Sequence, residues 1–248
     1  MLFKEFGDPK ALTIILLHGG GLSYWSLKDV TSLLTPEYHV VTPIIDGYGE
    51  DSYETFVSIE DSADKLIGYI KSYCNGHVFM LGGLSIGAQI VLETISKQAD
   101  IADFAILESA LVLPIRGIKI LAAPMCQISY GLIKKRWFSK LQARELCISE
   151  DMFEKYYFDS IKMSKQSLVN TILSNSTYEI KAGIKNTKAK VLIIVGEKEI
   201  AAEKESAQIL SRSIPNNQLY IASKMKHGQL SLNYPEQYVE LLNAFSAK

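Results

Sequence analysis

Residues 78–95 read VFMLGGLSIGAQIVLETI, and this stretch decides the fold. Its opening apolar run, residues 78–81, has the composition of a strand buried on both faces. It meets Gly83-Leu84-Ser85-Ile86-Gly87, after which Ala88, Ile90, Val91, Leu92 and Ile95 recur at helical spacing. The order is strand, tight turn, helix, with one serine at the apex. A serine on so sharp a turn is held in a strained backbone conformation. Glycine two positions to either side removes side chains that would collide there. The helix behind it aims free N–H groups at the serine and favours negative charge developing beside it. G-x-S-x-G in this context is the setting of a serine nucleophile.

Working outward, residues 11–17 (ALTIILL) form another continuous apolar run and end in His18-Gly19-Gly20-Gly21. Residues 22–34 read as a helix with Trp25 in its first turns. A strand over 39–45 leads to Asp46-Gly47-Tyr48-Gly49. Residues 55–73 carry Ile59, Ala63, Leu66, Ile67 and Ile70 at helical spacing. Short buried strands follow at 104–107, 189–195 and 218–222, with helices over 203–214 and 235–245, the last with proline at its start. Strands alternating with helices predict a mainly parallel sheet covered on both faces, an α/β fold. One region departs from the alternation. From 113 to 181 no strand pattern occurs, Pro114 and Pro124 punctuate the chain, and amphipathic helical stretches follow, so this region reads as a helical insertion.

At 248 residues, with 48% hydrophobic residues and a net charge of -1, the chain can build a sizeable core and has no basic block for nucleic acid or an anionic membrane. The apolar run at 12–17 is too short for a membrane span or a signal peptide core. Three cysteines, Cys74, Cys126 and Cys147, fit buried thiols in a reducing cytoplasm better than a disulfide framework. Asn175-Ser176-Thr177 matches a glycosylation sequon, which without a secretory signal is a coincidence. Neither a metal-ligand cluster nor a dinucleotide fingerprint is present, and neither glycine pair carries the lysine of a phosphate loop, so no metal or other cofactor is expected.

Taken together, the chain resembles the α/β-hydrolase superfamily, in particular small bacterial carboxylesterase-like members with a helical cap. The landmarks are His18-Gly19-Gly20-Gly21, Asp46-Gly47-Tyr48-Gly49, Gly83-Leu84-Ser85-Ile86-Gly87, Gly196-Glu197-Lys198-Glu199 and His227-Gly228, in that order. The resemblance implies a hydrolase core in two parts, 1–112 and 182–248, and a helical cap over 113–181. The N-terminal strands usual in the family are shortened here to the residues around 2–6.

A serine needs a base within hydrogen-bond reach. Of four histidines, His18 belongs to the glycine-rich turn and shapes it. His39 and His77 stand at strand starts, at the far edge of a parallel sheet from Ser85. His227 follows the last strand on the serine's own edge and is the expected base, with activity falling at acid pH around the free-histidine value, about 6 to 7. The family places an aspartate where Glu199 stands; glutamate can also hold the imidazole tautomer. Glu108, at the end of the 104–107 strand, is the alternative acid, because some relatives draw it from there. Glu197 reads as structural. For an oxyanion, Ile86 N–H is one donor and Gly20 N–H the other, with Gly21 as alternative. Of the aromatic and sulfur residues in the insertion (Met125, Trp137, Phe138, Met152, Phe153, Tyr156, Tyr157, Phe158, Met163), most are expected to form its own core and the rest an apolar lid.

The resemblance implies a cofactor-free serine hydrolase acting on a small or medium, mainly apolar carboxylic ester through an acyl-enzyme. The same triad serves acyltransferases, thioesterases and carbon–carbon bond hydrolases. A non-catalytic binding protein on the same fold is the remaining alternative.

Overall fold

The computed structural model describes residues 1–115 and 117–247, without the side chains of 119, 121, 123, 125 and 127–129. Met125 therefore lies outside the described side chains. Seven strands form one sheet: β1 (Leu2–Phe6), β2 (Thr13–Leu17), β3 (His39–Ile44), β4 (Val78–Leu84), β5 (Ala102–Glu108), β6 (Lys190–Gly196) and β7 (Asn217–Ala222). Their spatial order is β1-β3-β2-β4-β5-β6-β7. Only β1 runs antiparallel, against β3; the other pairs are parallel.

The apolar runs behave as strands buried on both faces should. Ile15 and Leu17 of β2 join the core beneath α2 (Ile59–Tyr73), α3 (Ile86–Lys97) and α8 (Ala201–Ser213). Ile14 and Leu16 face the opposite core, with α1 (Lys28–Leu34), α9 (Gln229–Asn233) and α10 (Pro235–Ser246). Successive side chains point to opposite faces, so a strand with helices on both sides has no polar face to show. Ser58 caps α2 by accepting from Asp61 N–H at 3.1 Å, which sets the helix start later than its apolar spacing indicated. The helix expected over 22–34 is divided. A short 3-10 turn, Tyr24–Leu27, buries Trp25 and Leu27 before α1 begins.

Between β5 and β6, across the stretch expected to be a helical insertion, the chain runs through α4 (Ile118–Leu132), α5 (Arg136–Glu145), α6 (Phe153–Lys162) and α7 (Lys165–Thr177). Pro124 lies inside α4. It cannot bond the carbonyl of Ile120, a residue 80% exposed and within reach of water. Polar bonds fasten α7 to the core: Phe56 N–H donates to Ser167 Oγ, Ile59 N–H to Ser174 Oγ, and Asn170 Nδ2 to Phe56 O. Tyr178, just beyond α7, donates to Glu93 Oε2 at 3.0 Å. Among the described residues no helix is long and apolar enough to cross a membrane.

In a parallel sheet, the loops at the carboxyl ends of the strands gather on one edge. A crevice opens there where neighbouring strands send their connections in opposite directions. β2 lies between β3 and β4, so this crevice falls between the loops after β2 and β4.

Candidate active site

Ser85 occupies the turn between β4 and α3 with φ 55° and ψ -117°, a conformation strained by about 1–3 kcal/mol for a residue with a β-carbon. Neighbouring bonds hold it there. Ser85 N–H donates to Glu108 O at 2.8 Å, and Gln89 N–H donates to Ser85 O at 3.0 Å to begin α3. A β-carbon on Gly87 would lie 2.6 Å from His18 O and 2.7 Å from Leu17 O, and one on Gly83 would collide with the Gly87 carbonyl. The two glycines let α3 press onto the ends of β2 and β4, and that close approach makes the turn.

His18 is fully buried, accepts from Ile45 N–H through Nε2 at 3.1 Å, and bonds Gly19 O through Nδ1 at 2.9 Å. With Nε2 accepting, the proton sits on Nδ1. Burial lowers its pKa to about 4, so the ring stays neutral and pins the glycine-rich loop to β3. Gly20 lines the cavity that holds Ser85, whereas Gly21, at φ 77°, lines only the lobe beyond it. His39 pairs with Glu5 and His77 with Asp103, both at the starts of strands and away from Ser85.

His227 stands on the β7–α9 loop and lines the same cavity as Ser85. Its Nδ1 is hydrogen-bonded to Glu199 Oε2 at 3.2 Å. Glu203 Oε1 makes an ion-pair contact with the same nitrogen at 2.9 Å. Glu199 is buried, and its other oxygen accepts from Gly196 N–H at 2.6 Å and Ser109 Oγ at 2.8 Å. Ser109 Oγ in turn accepts from Gly228 N–H at 3.2 Å, tying the acid's loop to the histidine's. Burial alone would push Glu199 upward, but the bonds from His227, Gly196 and Ser109 outweigh it and hold the carboxyl below its usual range. Burial likewise opposes charge on His227. The two carboxylates outweigh it and raise the imidazole to about 10. The acid limb expected near pH 6 to 7 for a free imidazole therefore moves upward.

Glu108 is in a different situation. It lies buried at the end of β5, accepts from Ser231 N–H at 3.3 Å, and among the described residues leaves Oε2 without a partner. Burial raises it to about 7. Its carboxyl turns toward α9, and of the two expected acids Glu199 is the one bonded to the imidazole. Glu197 accepts from Ser223 Oγ and Lys224 N–H, linking the loops after β6 and β7.

A cavity of about 190 Å³ is lined by Gly19, Gly20, Ser85, Ile86, His227 and Thr171, among others. A second lobe of about 260 Å³ shares Gly20, Leu22, Leu146 and Thr171 with it and runs beneath the insertion, past Tyr48, Gln142, Tyr156, Asp159 and Met163. Of the residues expected to form the insertion's core, Phe153 is buried, Tyr156 and Met163 face this lobe, and Trp137 and Phe158 are 65% and 53% exposed. Trp25 Nε1 donates to Asp159 Oδ2 at 2.8 Å and Tyr48 Oη bonds Thr171 Oγ1 at 2.9 Å, joining core and insertion around the cavity. Sequence reasoning did not reach Ser109, Glu203, Thr171 or Asn175. Glu203 left one signal, its i,i+4 spacing from Glu199; the others left none. Among the described residues, Glu199, Glu203 and His227 are the one grouping whose donor atoms lie close together, within 4.8 Å. Both carboxylates approach the same ring nitrogen, so the trio is arranged as two anions around one imidazole.

A doubly covered, mainly parallel sheet, with a serine on a strained β4–α3 turn and a carboxylate-bound histidine after the last strand, has the architecture of an α/β hydrolase. The chain belongs to the alpha/beta hydrolase family, whose sequence profile matches residues 14–207, and it is accordingly a hydrolase of α/β fold. No curated protein sequence matches the chain. Among solved structures, it is similar to a bromoperoxidase from Bacillus anthracis at 18% identity and a TM-score of 0.82, covering 99% of this chain and 95% of that one. It is similar to a thermophilic esterase from Thermogutta terrifontis at 18% identity and a TM-score of 0.77, covering 99% and 93%. It is also similar to an enol-lactonase from Burkholderia xenovorans at 13% identity and a TM-score of 0.80, covering 100% and 96%. At these identities the likeness is one of fold.

Proposed function

We propose that the chain is a serine hydrolase that cleaves a small or medium, mainly apolar carboxylic ester through an acyl-enzyme. One observation carries this reading: His227, bonded at Nδ1 to a buried carboxylate, shares a 190 Å³ cavity with Ser85 on its strained turn. Ser85 Oγ attacks the ester carbonyl carbon while its proton passes to His227 Nε2. Glu199 keeps the other ring proton on Nδ1 and stabilises the imidazolium. Ile86 and Gly20 N–H donate to the oxyanion. Collapse expels the alcohol, which takes the proton from His227. Water then attacks the acyl-enzyme with the same base and frees the acid. We assign residues 113–181 as the cap, and the lobe beneath it as room for the longer substituent.

The fold also hosts acyl transfer, thioester cleavage and carbon–carbon hydrolysis, and nothing in the site favours these over ester hydrolysis. The test is labelling with a fluorophosphonate and turnover of p-nitrophenyl esters. The native chain should be labelled at Ser85 and turn over short acyl esters. Ser85→Ala should keep its fold and lose turnover by about a million-fold. A native chain that is neither labelled nor active, or a Ser85→Ala variant with more than a few per cent of native activity, refutes the reading.

A further inference from the structure

We propose that Glu203 is a second carboxylate at Nδ1 of His227, a positioning residue that shares with Glu199 the task of holding the imidazole. This rests on the reading of His227 as the base. Two carboxylate oxygens approach one ring nitrogen, Glu203 Oε1 at 2.9 Å and Glu199 Oε2 at 3.2 Å. They come from different elements, Glu199 from the loop after β6 and Glu203 from the first turn of α8. Glu199 lies just before Ile200, the extended residue that caps α8, and Glu203 in the turn just after it.

The two acids are held differently. Glu199 is fixed by Gly196 N–H and Ser109 Oγ on its other oxygen. Glu203, 16% exposed at its side chain, meets His227 through Oε1 and has no such backbone and hydroxyl clamp among the described contacts, so it can follow the ring. Among the described residues neither acid pairs with a lysine or arginine, so the imidazolium is their shared counter-charge. The other groups facing the ring are Glu108 from β5, whose carboxyl feels the His227 charge, and the Ser85 hydroxyl across the cavity. Lys226, beside His227 on its own loop, is exposed.

Two consequences distinguish this role from a structural one. A second anion stabilises the imidazolium in the resting enzyme, so it withholds the neutral base until the pH is high. It also stands ready to orient the ring when Glu199 is neutralised. Glu203→Gln should therefore move the acid limb of kcat/KM down by about one pH unit or more, and raise the ratio of activity at pH 7 to activity on the alkaline plateau about tenfold, because each unit changes the neutral fraction tenfold. The alkaline plateau should fall two- to tenfold, on the order of a lost charge contact. Glu199→Gln should lose about a hundredfold at the plateau, and the double variant should lose more than the product of the two single losses.

The experiment combines pH–rate profiles on p-nitrophenyl acetate with an NMR titration of the His227 ring, for the native chain, Glu203→Gln, Glu203→Asp, Glu199→Gln and the double variant. Glu203→Asp keeps the charge in the first helical turn but withdraws it by one methylene, so its limb should fall between those of the native chain and Glu203→Gln. Profiles of Glu203→Gln and the native chain that superimpose, an unchanged His227 titration, or losses that simply multiply overturn the proposal. If the native chain cleaves no ester, the reading of the function fails, while the NMR comparison still decides the role of Glu203.

Discussion

Glu108→Gln converts a buried, half-partnered carboxyl into a neutral isostere, and its effect can be worked from the structure. Burial raises the group from 4.5 in the unfolded chain to about 7 in the fold. A raised carboxyl pKa means that the folded state binds the proton more tightly. As pH rises through 4.5 the unfolded chain ionises first, so stability falls, and the fall is complete once pH passes 7. The difference of about 2.5 units corresponds to a loss of about 3 kcal/mol above pH 7 that is absent below pH 4.5. Gln carries no titrating proton, so Glu108→Gln removes this pH-dependent loss. Equilibrium urea unfolding at pH 5 and pH 8 reads it directly. At pH 5 part of the loss has already occurred, so the stability gained by the variant at pH 8 should exceed that at pH 5 by about 2–3 kcal/mol, a midpoint difference of about 1 M urea or slightly less for a slope of about 3 kcal/mol/M. Titrations distant from Glu108 are common to both proteins and largely cancel in the difference. An equal gain or loss at the two pH values refutes the reasoning. Turnover by the variant should stay within about tenfold of native, because Glu199 holds the imidazole.

Two further outcomes follow from contacts around the site. Gly87→Ala forces a methyl group to within 2.6 Å of His18 O and should lower Tm by about 5 °C or more, measured by thermal unfolding; an unchanged Tm means that α3 has room the glycine does not require. Trp25→Phe removes the bond to Asp159 Oδ2 and should cost about 1.5–3 kcal/mol while raising KM for the longer esters more than it lowers kcat, because the tie between core and insertion is cut away from the reacting atoms.

How much of this was legible in the sequence follows from how far each feature is set by neighbours along the chain. The alternation of apolar runs and helical spacing marked the strands that carry the sheet, because burial on both faces leaves its mark residue by residue. The turn at Ser85 was legible for the same reason: its glycines answer clashes two residues away. The acid was not decided at that level. Glu108 and Glu199 both end strands on the same edge, and only the side-chain directions separate them, one toward Ser231 and the other toward His227. α9 carries too few residues to show a period. Glu203 reads in sequence as one more solvated charge on a helix, and only the passage of α8 beside the β7–α9 loop gives it a partner. The positive φ of Ser109, at 57°, has no counterpart in residue type, since glycine or asparagine is the usual choice there.

Three glutamates on this edge of the sheet share one intrinsic acidity, and their surroundings divide them. Glu199 sits in a turn that closes on its own side chain: its N–H donates to Gly196 O at 3.1 Å while its Oε1 accepts from Gly196 N–H at 2.6 Å. Gly196 N–H, with Ser109 Oγ as second donor to Oε1, leaves the other oxygen aimed at the imidazole, and these charge-assisted bonds compensate its burial. Glu108 is buried as deeply with a single backbone donor, and its ionised form is correspondingly disfavoured. Glu203 is left partly in water and contributes through distance alone. The extra methylene of glutamate at 199, where the family carries aspartate, matters here. The carboxylate folds back onto Gly196 N–H through one oxygen while the other reaches Nδ1 of His227. The opposite shifts of Glu199 and Glu108 therefore follow from their donors among the described residues, Gly196, Ser109 and His227 around the one against Ser231 alone beside the other, before any question of substrate arises.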